Sequence, residues 1–218
     1  MKNHEKLRKI TGIAVFSAIA YLCTFIMPIR VQFLTFDVKD AVMTIGALCY
    51  GPLSAVIMPL IVSLLEYFTI SSTGIYGLIM NFASSAAFIL PAVLIYPNRR
   101  TIGRAYLSLA SSVLSMTVIM LALNLVITPY YMHAERAAVV ALILPLLLPF
   151  NLLKGIVNAA IVLLLYKPVS RAMHWMRREE PKSAPSVLRT VLACVVGVLL
   201  LALALFFLFY AMQAEFVK

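Results

Sequence analysis

The chain has 218 residues, 63% of them hydrophobic and 12% charged, with a formal net charge of +10 and a mean hydropathy of +1.01. A soluble domain is about 45–50% apolar and about 25% charged, so a water-soluble globule is excluded. The apolar excess also excludes disorder, and three cysteines at unrelated spacings exclude a disulfide scaffold.

What remains is an all-α, polytopic membrane protein, whose basic residues belong to its cytoplasmic loops rather than to nucleic-acid binding. A crossing helix needs roughly 20 mostly apolar residues. The first runs from Ile10 to Met27, ahead of Pro28, behind a leader that carries Lys2, Lys6, Arg8 and Lys9. The leader resembles a signal-peptide start, but Ala18-Ile19-Ala20 is followed by further apolar sequence, so the helix is expected to be retained. Between Ala41 and Phe68, the Gly51-Pro52 pair breaks an apolar run too short for two ideal spans. That stretch is expected to form two short helices, about 40–50 and 52–68, in a re-entrant-like hairpin. Further helices follow at about 78–96, stopped by Pro97, and about 104–128, stopped by Pro129. Within 137–166, Pro145 and Pro149 place the crossing part at about 145–166.

The expected organisation is therefore a six-helix membrane domain over 1–170, a basic cytoplasmic linker over 171–186, and an additional transmembrane helix over 187–212. With the N-terminus inside, 13 of the 18 Lys and Arg residues fall on cytoplasmic segments. Only Arg30, Lys39, Arg136, Lys154 and Lys218 fall elsewhere. This bias sets the orientation and puts the C-terminus outside.

Ionisable and amide groups inside spans are expensive and face a cavity or a partner helix. Here they are Glu66, Asn81, Asn124, Asn151, Lys154 and Asn158, nearly all in the outer half of the membrane. Asn151, Lys154 and Asn158 lie at i, i+3 and i+7, on one helical face. Asparagines of this kind also join helices by hydrogen bonds, the expected role of Asn158. A lone ammonium cannot be left in lipid, so Lys154 beside Asn151 points to a cavity. Amides with one carboxylate and one ammonium suit a largely neutral ligand rich in donors and acceptors. Aromatic residues collect at the same level, as in an interfacial belt. The segment MPIRVQFLTFDVKD, with Phe33, Leu34, Phe36, Asp37 and Asp40, reads instead as an external lid over a pocket.

No phosphate-binding GxxxxGK[ST] loop occurs, so the chain does not hydrolyse ATP by that route. No HExxH or other metal-ligand spacing occurs, and no expected span contains histidine. Glu179-Glu180 sits in the basic linker beside Pro181, as a solvated loop would. Nothing in the sequence supports an enzyme, a metal or a resident cofactor.

Three segments carry a resemblance: FLTFDVKDAVMTIGALCYGPLSAVIMPLIVSLLEYF, GIYGLIMNFASSAAFILPAVLIYP and LLPFNLLKGIVNAAIVLLLYK. In order and spacing, over about residues 7–170, they resemble the riboflavin-specific substrate-binding (S) component of energy-coupling factor vitamin transporters. The Gly51-Pro52 break, Asn81 and the FN-x-x-KG pattern at 150–155 are the most specific features. The resemblance implies a six-helix fold in the cell membrane of a prokaryote, closing over riboflavin. It puts Glu66, Asn124, Asn151 and Lys154 in the flavin pocket, under the loop at 33–40. It also implies a membrane T component and two ATPases as partners, the latter supplying the energy. Ala14-x-x-x-Ala18 matches the family's small-residue docking motif, a spacing that allows close helix approach. Ala83 and Ala87 share that spacing. The helix at 187–212 is the departure from the family, whose members usually end after six spans. The alternatives are an S component for thiamine or pantothenate, or a stand-alone secondary transporter. The latter calls for inverted repeats with matched broken helices, and the sequence shows one Gly-Pro break without a counterpart.

Overall fold

The computed structural model describes residues 2–26, 29–31, 33–96, 101–133 and 135–176. The linker from 177 and the helix expected at 187–212 lie outside the described residues. Helix α1 spans Lys2–Ile26, so the basic leader extends the first helix. Strands β1 (Ile29–Val31) and β2 (Leu34–Phe36) follow as an antiparallel hairpin, with Ile29 opposite Phe36 and Val31 opposite Leu34. Helices α2 (Lys39–Tyr50) and α3 (Ser54–Thr69) are separated by Gly51, whose φ of 97° suits a residue without Cβ. Then come α4 (Gly74–Ile95), α5 (Ile102–Met132), the short α6 (Arg136–Ala141), a π-helical segment at Ile143–Leu147, and α7 (Leu148–Met176).

Among the described residues, four stretches are long and apolar enough to cross a membrane: His4–Ile26, Gly74–Ile95, Ile102–Met132 and Ile143–Val169. Helices α2 and α3, with 12 and 16 residues, are the shorter pair that the Gly-Pro break announces. Three boundaries differ from expectation. Helix α5 continues through Pro129 to Met132 and ends at His133, whose φ is 50°. A proline near the C-terminal end removes a single ladder bond, which one last turn tolerates. The run at 137–166 is divided by the π-helical segment around Pro145, and α7 passes Pro168 to reach Met176. The loop between α1 and α2 holds a β-hairpin that the sequence does not announce, because strands of three residues leave no periodic signal.

The main core gathers apolar side chains from α1–α5 and α7, including Met43, Met58, Val62, Phe88, Ile89 and Met116. A smaller cluster joins the hairpin to α7 through Leu34, Phe36, Val139, Leu147, Phe150 and Val157. Close packing of α1, α2 and α3 depends on Gly46. A Cβ there would lie 2.7 Å from the Phe16 ring and 3.0 Å from the Met58 methyl carbon.

Candidate functional site

The ends of α1 and α3, the starts of α2, α4 and α7, and the last turns of α5 meet at the end of the bundle that carries the hairpin. They enclose a cavity of about 390 Å³. Phe33, Leu34 and Thr35 line it from the hairpin, Thr24 from α1, Asp37 and Lys39 from the entry to α2, and Glu66 from α3. Tyr76, Met80, Asn81 and Ser84 line it from α4, Met120 and Tyr131 from α5, and Phe150, Asn151 and Lys154 from α7. The hairpin is held over this space by edge-on ring contacts, Phe33 with Tyr131 and Phe36 with Phe150, at centroid distances of 6.3 and 6.4 Å.

Along one side of the cavity runs a chain of buried charges. Lys39 Nζ donates to Glu66 Oε1 at 2.6 Å and to Oε2 at 2.7 Å, and lies 3.8 Å from Asp37 Oδ2. Lys154 Nζ donates to the same Asp37 oxygen at 3.0 Å. Exposure is 2% at Asp37, Lys39 and Glu66, and 6% at Lys154. Unpaired charges are not tolerated at such depth, but paired and hydrogen-bonded ones are. Glu66 takes two further donors, Thr24 Oγ1 at 3.1 Å and Asn81 Nδ2 at 2.8 Å. Burial pushes the Asp37 carboxyl up, but Lys154 and Lys39 outweigh it and hold the group below the usual carboxylate range.

Asn158 fixes where this chain of charges begins. Helix α2 has no side-chain cap of its own at Val38. Asn158 Oδ1, from α7, accepts from the Ala41 backbone N–H at 2.7 Å, and its Nδ2 donates to the Asp37 carbonyl at 3.1 Å. An amide on a neighbouring helix thus satisfies one of the orphan donors at the start of α2.

Among the residues expected in a pocket, Glu66, Asn81, Asn151, Lys154, Phe33, Leu34 and Asp37 line the cavity. Phe36, Asp40 and Asn124 do not. Phe36 turns into the hairpin–α7 cluster, and Asp40 accepts from Ser85 Oγ on α4. Asn124 is spent within α5, where Nδ2 donates to the Met120 carbonyl and Oδ1 accepts from Thr128. The two aspartates, read as external lid carboxylates, are buried, because Lys154, Lys39 and Ser85 draw them inward. Lys39 is the principal residue that sequence reasoning missed. In the charge count it is one of five Lys and Arg residues outside the cytoplasmic segments, and its place between two aspartates at the mouth of an apolar helix is the available signal. Ala14 and Ala18 share an exposed face of α1, away from the cavity.

Fold and cavity together define a membrane-embedded helical protein with a cavity of small-molecule size at one end. Its family model, described as ECF transporter, substrate-specific component, matches residues 8–166, and the chain belongs to that family. It is 31% identical to the riboflavin transporter RibU of Staphylococcus aureus (strain TCH60), over 76% of this chain and 92% of the relative. It is 30% identical to the riboflavin transporter FmnP of Bacillus subtilis (strain 168), over 74% of this chain and 91% of the relative. A solved structure described as the S component of a bacterial ECF transporter superposes with a TM-score of 0.66 at 28% identity. That match covers 77% of this chain and 98% of the other.

Proposed function

We propose that this chain is the riboflavin-binding S component of an ATP-driven vitamin importer. It takes the flavin into the hairpin-covered cavity from the outer face and delivers it through an energy-coupling module. The observation that carries this reading is the cavity itself, in a chain whose relatives are riboflavin transporters. At about 390 Å³ it falls within the roughly 300–1,000 Å³ of small-molecule sites, and it mixes apolar walls with few polar groups as they do. Riboflavin has a flat tricyclic ring with an imide edge and a ribityl chain of four hydroxyls. Phe33, Leu34, Tyr76, Met80 and Phe150 supply apolar surfaces for the ring. Asn81, Asn151, Lys154 and Asp37 supply the donors and acceptors that imide and hydroxyls need.

The chain is not an enzyme in this reading and holds no resident cofactor. The energy comes from a T component and two ATPases, which the absence of a phosphate loop calls for. The exposed Ala14–Ala18 face of α1 is the docking surface for the T component. In the bilayer, α1, the short pair α2 and α3, α4, α5 and α7 form six crossings, with 187–212 as a seventh. The N-terminus is then cytoplasmic and the C-terminus outside.

Riboflavin titration into the purified protein, followed by quenching of flavin fluorescence, tests the reading. Saturable, stoichiometric quenching is expected. Tight binding of thiamine or pantothenate with no response to riboflavin would keep the family and replace the substrate.

A further inference from the structure

The asparagines of the bundle divide by what their amides have left over. Asn124 spends both ends inside α5, and Asn158 spends both on α7 and the start of α2. Asn81 and Asn151 line the cavity, and each spends its nitrogen alone. Asn81 Nδ2 donates to Glu66 Oε2 at 2.8 Å, and Asn151 Nδ2 donates to the Leu147 carbonyl at 2.7 Å. An ionised carboxylate and a carbonyl only accept, so neither amide can turn round without losing its partner. Neither Oδ1 has a hydrogen-bond partner among the described residues, and neither is among the enclosed side-chain atoms that lack one, so both oxygens keep accessible surface.

Glu66, which orients Asn81, has nothing left for a ligand. Its Oε1 accepts from Thr24 and Lys39, and its Oε2 from Lys39 and Asn81. A carboxylate has about four acceptor positions, so protein donors from α1, α2 and α4 fill this one. We infer that Glu66 is a positioning residue rather than a ligand contact: it turns the Asn81 oxygen into a fixed acceptor for a donor on the ligand. This rests on the riboflavin reading of the cavity, where the donors are the imide N–H and the ribityl hydroxyls. An acceptor whose direction is set beforehand loses little on meeting its donor and rejects a ligand that lacks one. In Glu66→Gln, Lys39 still requires an acceptor, so the side-chain oxygen stays with it and the amide nitrogen faces Asn81. Asn81 then gives its oxygen to that nitrogen and turns its own NH2 to the cavity, donor against donor.

Riboflavin is titrated by fluorescence quenching against the full-length wild type, Glu66→Gln, Asn81→Ala and the double variant, each first shown to be folded by gel filtration and a cooperative melt. Glu66→Gln and Asn81→Ala are each expected to weaken binding by at least about fivefold. The double variant is expected to bind within about twofold of Asn81→Ala, because the amide through which Glu66 acts is already gone. The melting point behaves differently. Glu66→Gln is expected to lower it in both backgrounds, since Lys39 loses its charged partner in either, and this separates a role in the fold from a role in recognition. Should Glu66→Gln not fold, Glu66→Asp keeps the charge for Lys39, draws the carboxylate back from Asn81 by one methylene, and must show the same loss, cancelled in the same way by Asn81→Ala. Losses that multiply in the double variant overturn the inference, as does wild-type affinity in either folded single variant. A wild type that ignores riboflavin overturns the substrate reading instead, so the two failures are distinguishable.

Discussion

Lys154→Ala separates the effect of a buried ion pair on the fold from its effect on the ligand. The ammonium is 6% exposed and has one carboxylate partner, Asp37 Oδ2, at 3.0 Å. Its removal leaves Asp37 with only Lys39, 3.8 Å away, on that oxygen. Breaking a buried pair from one side typically destabilises by about 3–5 kcal/mol; here the remaining lysine keeps the effect at the lower end. The ligand loses a charge-assisted donor, which contributes roughly 1.5–3 kcal/mol. That corresponds to roughly 10- to 150-fold in affinity. Detergent-purified protein is checked first for a single gel-filtration peak and a cooperative melt, then titrated with riboflavin. A folded Lys154→Ala variant with wild-type affinity would refute the placement of Lys154 in the flavin site. A lower melting point with unchanged affinity would assign it to the fold alone.

Asn151→Ala removes a cavity amide whose Nδ2 donates to the Leu147 carbonyl, leaving its oxygen for a ligand. Losing one or two neutral bonds is expected to weaken riboflavin on the order of 5- to 100-fold in the same titration. Replacing Ala14 and Ala18 together by Phe is expected to abolish uptake by cells while purified protein binds flavin within threefold of wild type; parallel loss of both would move them into the fold. Gly46→Leu places a side chain where Phe16 and Met58 already stand, so overpacking is expected to destabilise by about 1–3 kcal/mol, read as a lower melting point. A single cysteine at Phe216, on a cysteine-free background, is expected to react with an impermeant reagent from outside intact cells. Labelling only after membrane disruption would reverse the C-terminal assignment.

Much of this was legible because the membrane makes polar residues conspicuous. Glu66, Asn81, Asn151 and Lys154 stood out against apolar sequence, and they line one cavity because each needs partners that lipid cannot supply. The Gly51-Pro52 break and the short helices around it were legible for a local reason, since both residues disfavour helix continuation. What sequence hid was pairing. Asn124 has the same chemistry as Asn151, yet it finds its partners at i−4 and i+4 within its own helix, which only the rotamer reveals. Asp37 and Asp40 look like loop carboxylates until Lys154, 117 residues away from Asp37, and Ser85 are folded against them. Lys39 is hidden in the same way, for its place between Asp37 and Asp40 marks a charge with neighbours but does not name Glu66, 27 residues away, as its partner. Pro129 misled because hydropathy and breaker residues do not report how many turns remain before a helix ends.

The break between α2 and α3 also explains why Lys39 and Glu66 meet. From Lys39 to Tyr50, α2 descends for 12 residues, about 18 Å at 1.5 Å per residue. From Ser54, α3 climbs back through 13 residues to Glu66, about 19 Å on the same basis. The two arms of the hairpin therefore return to one level, where an ammonium at the start of the first faces a carboxylate in the last turns of the second. Two arms of unequal length would carry those side chains past one another, and each would then have to be desolvated alone. The matched lengths of α2 and of α3 up to Glu66 are what let their charges neutralise each other in the wall of the cavity. Thr24 from α1 and Asn81 from α4 then complete the acceptor set of Glu66. The hairpin's length and the cavity's chemistry are thus one feature of the sequence. A residue inserted into either arm would shift its charge by about 1.5 Å and turn it by about 100°, enough to separate the pair at 2.6–2.7 Å.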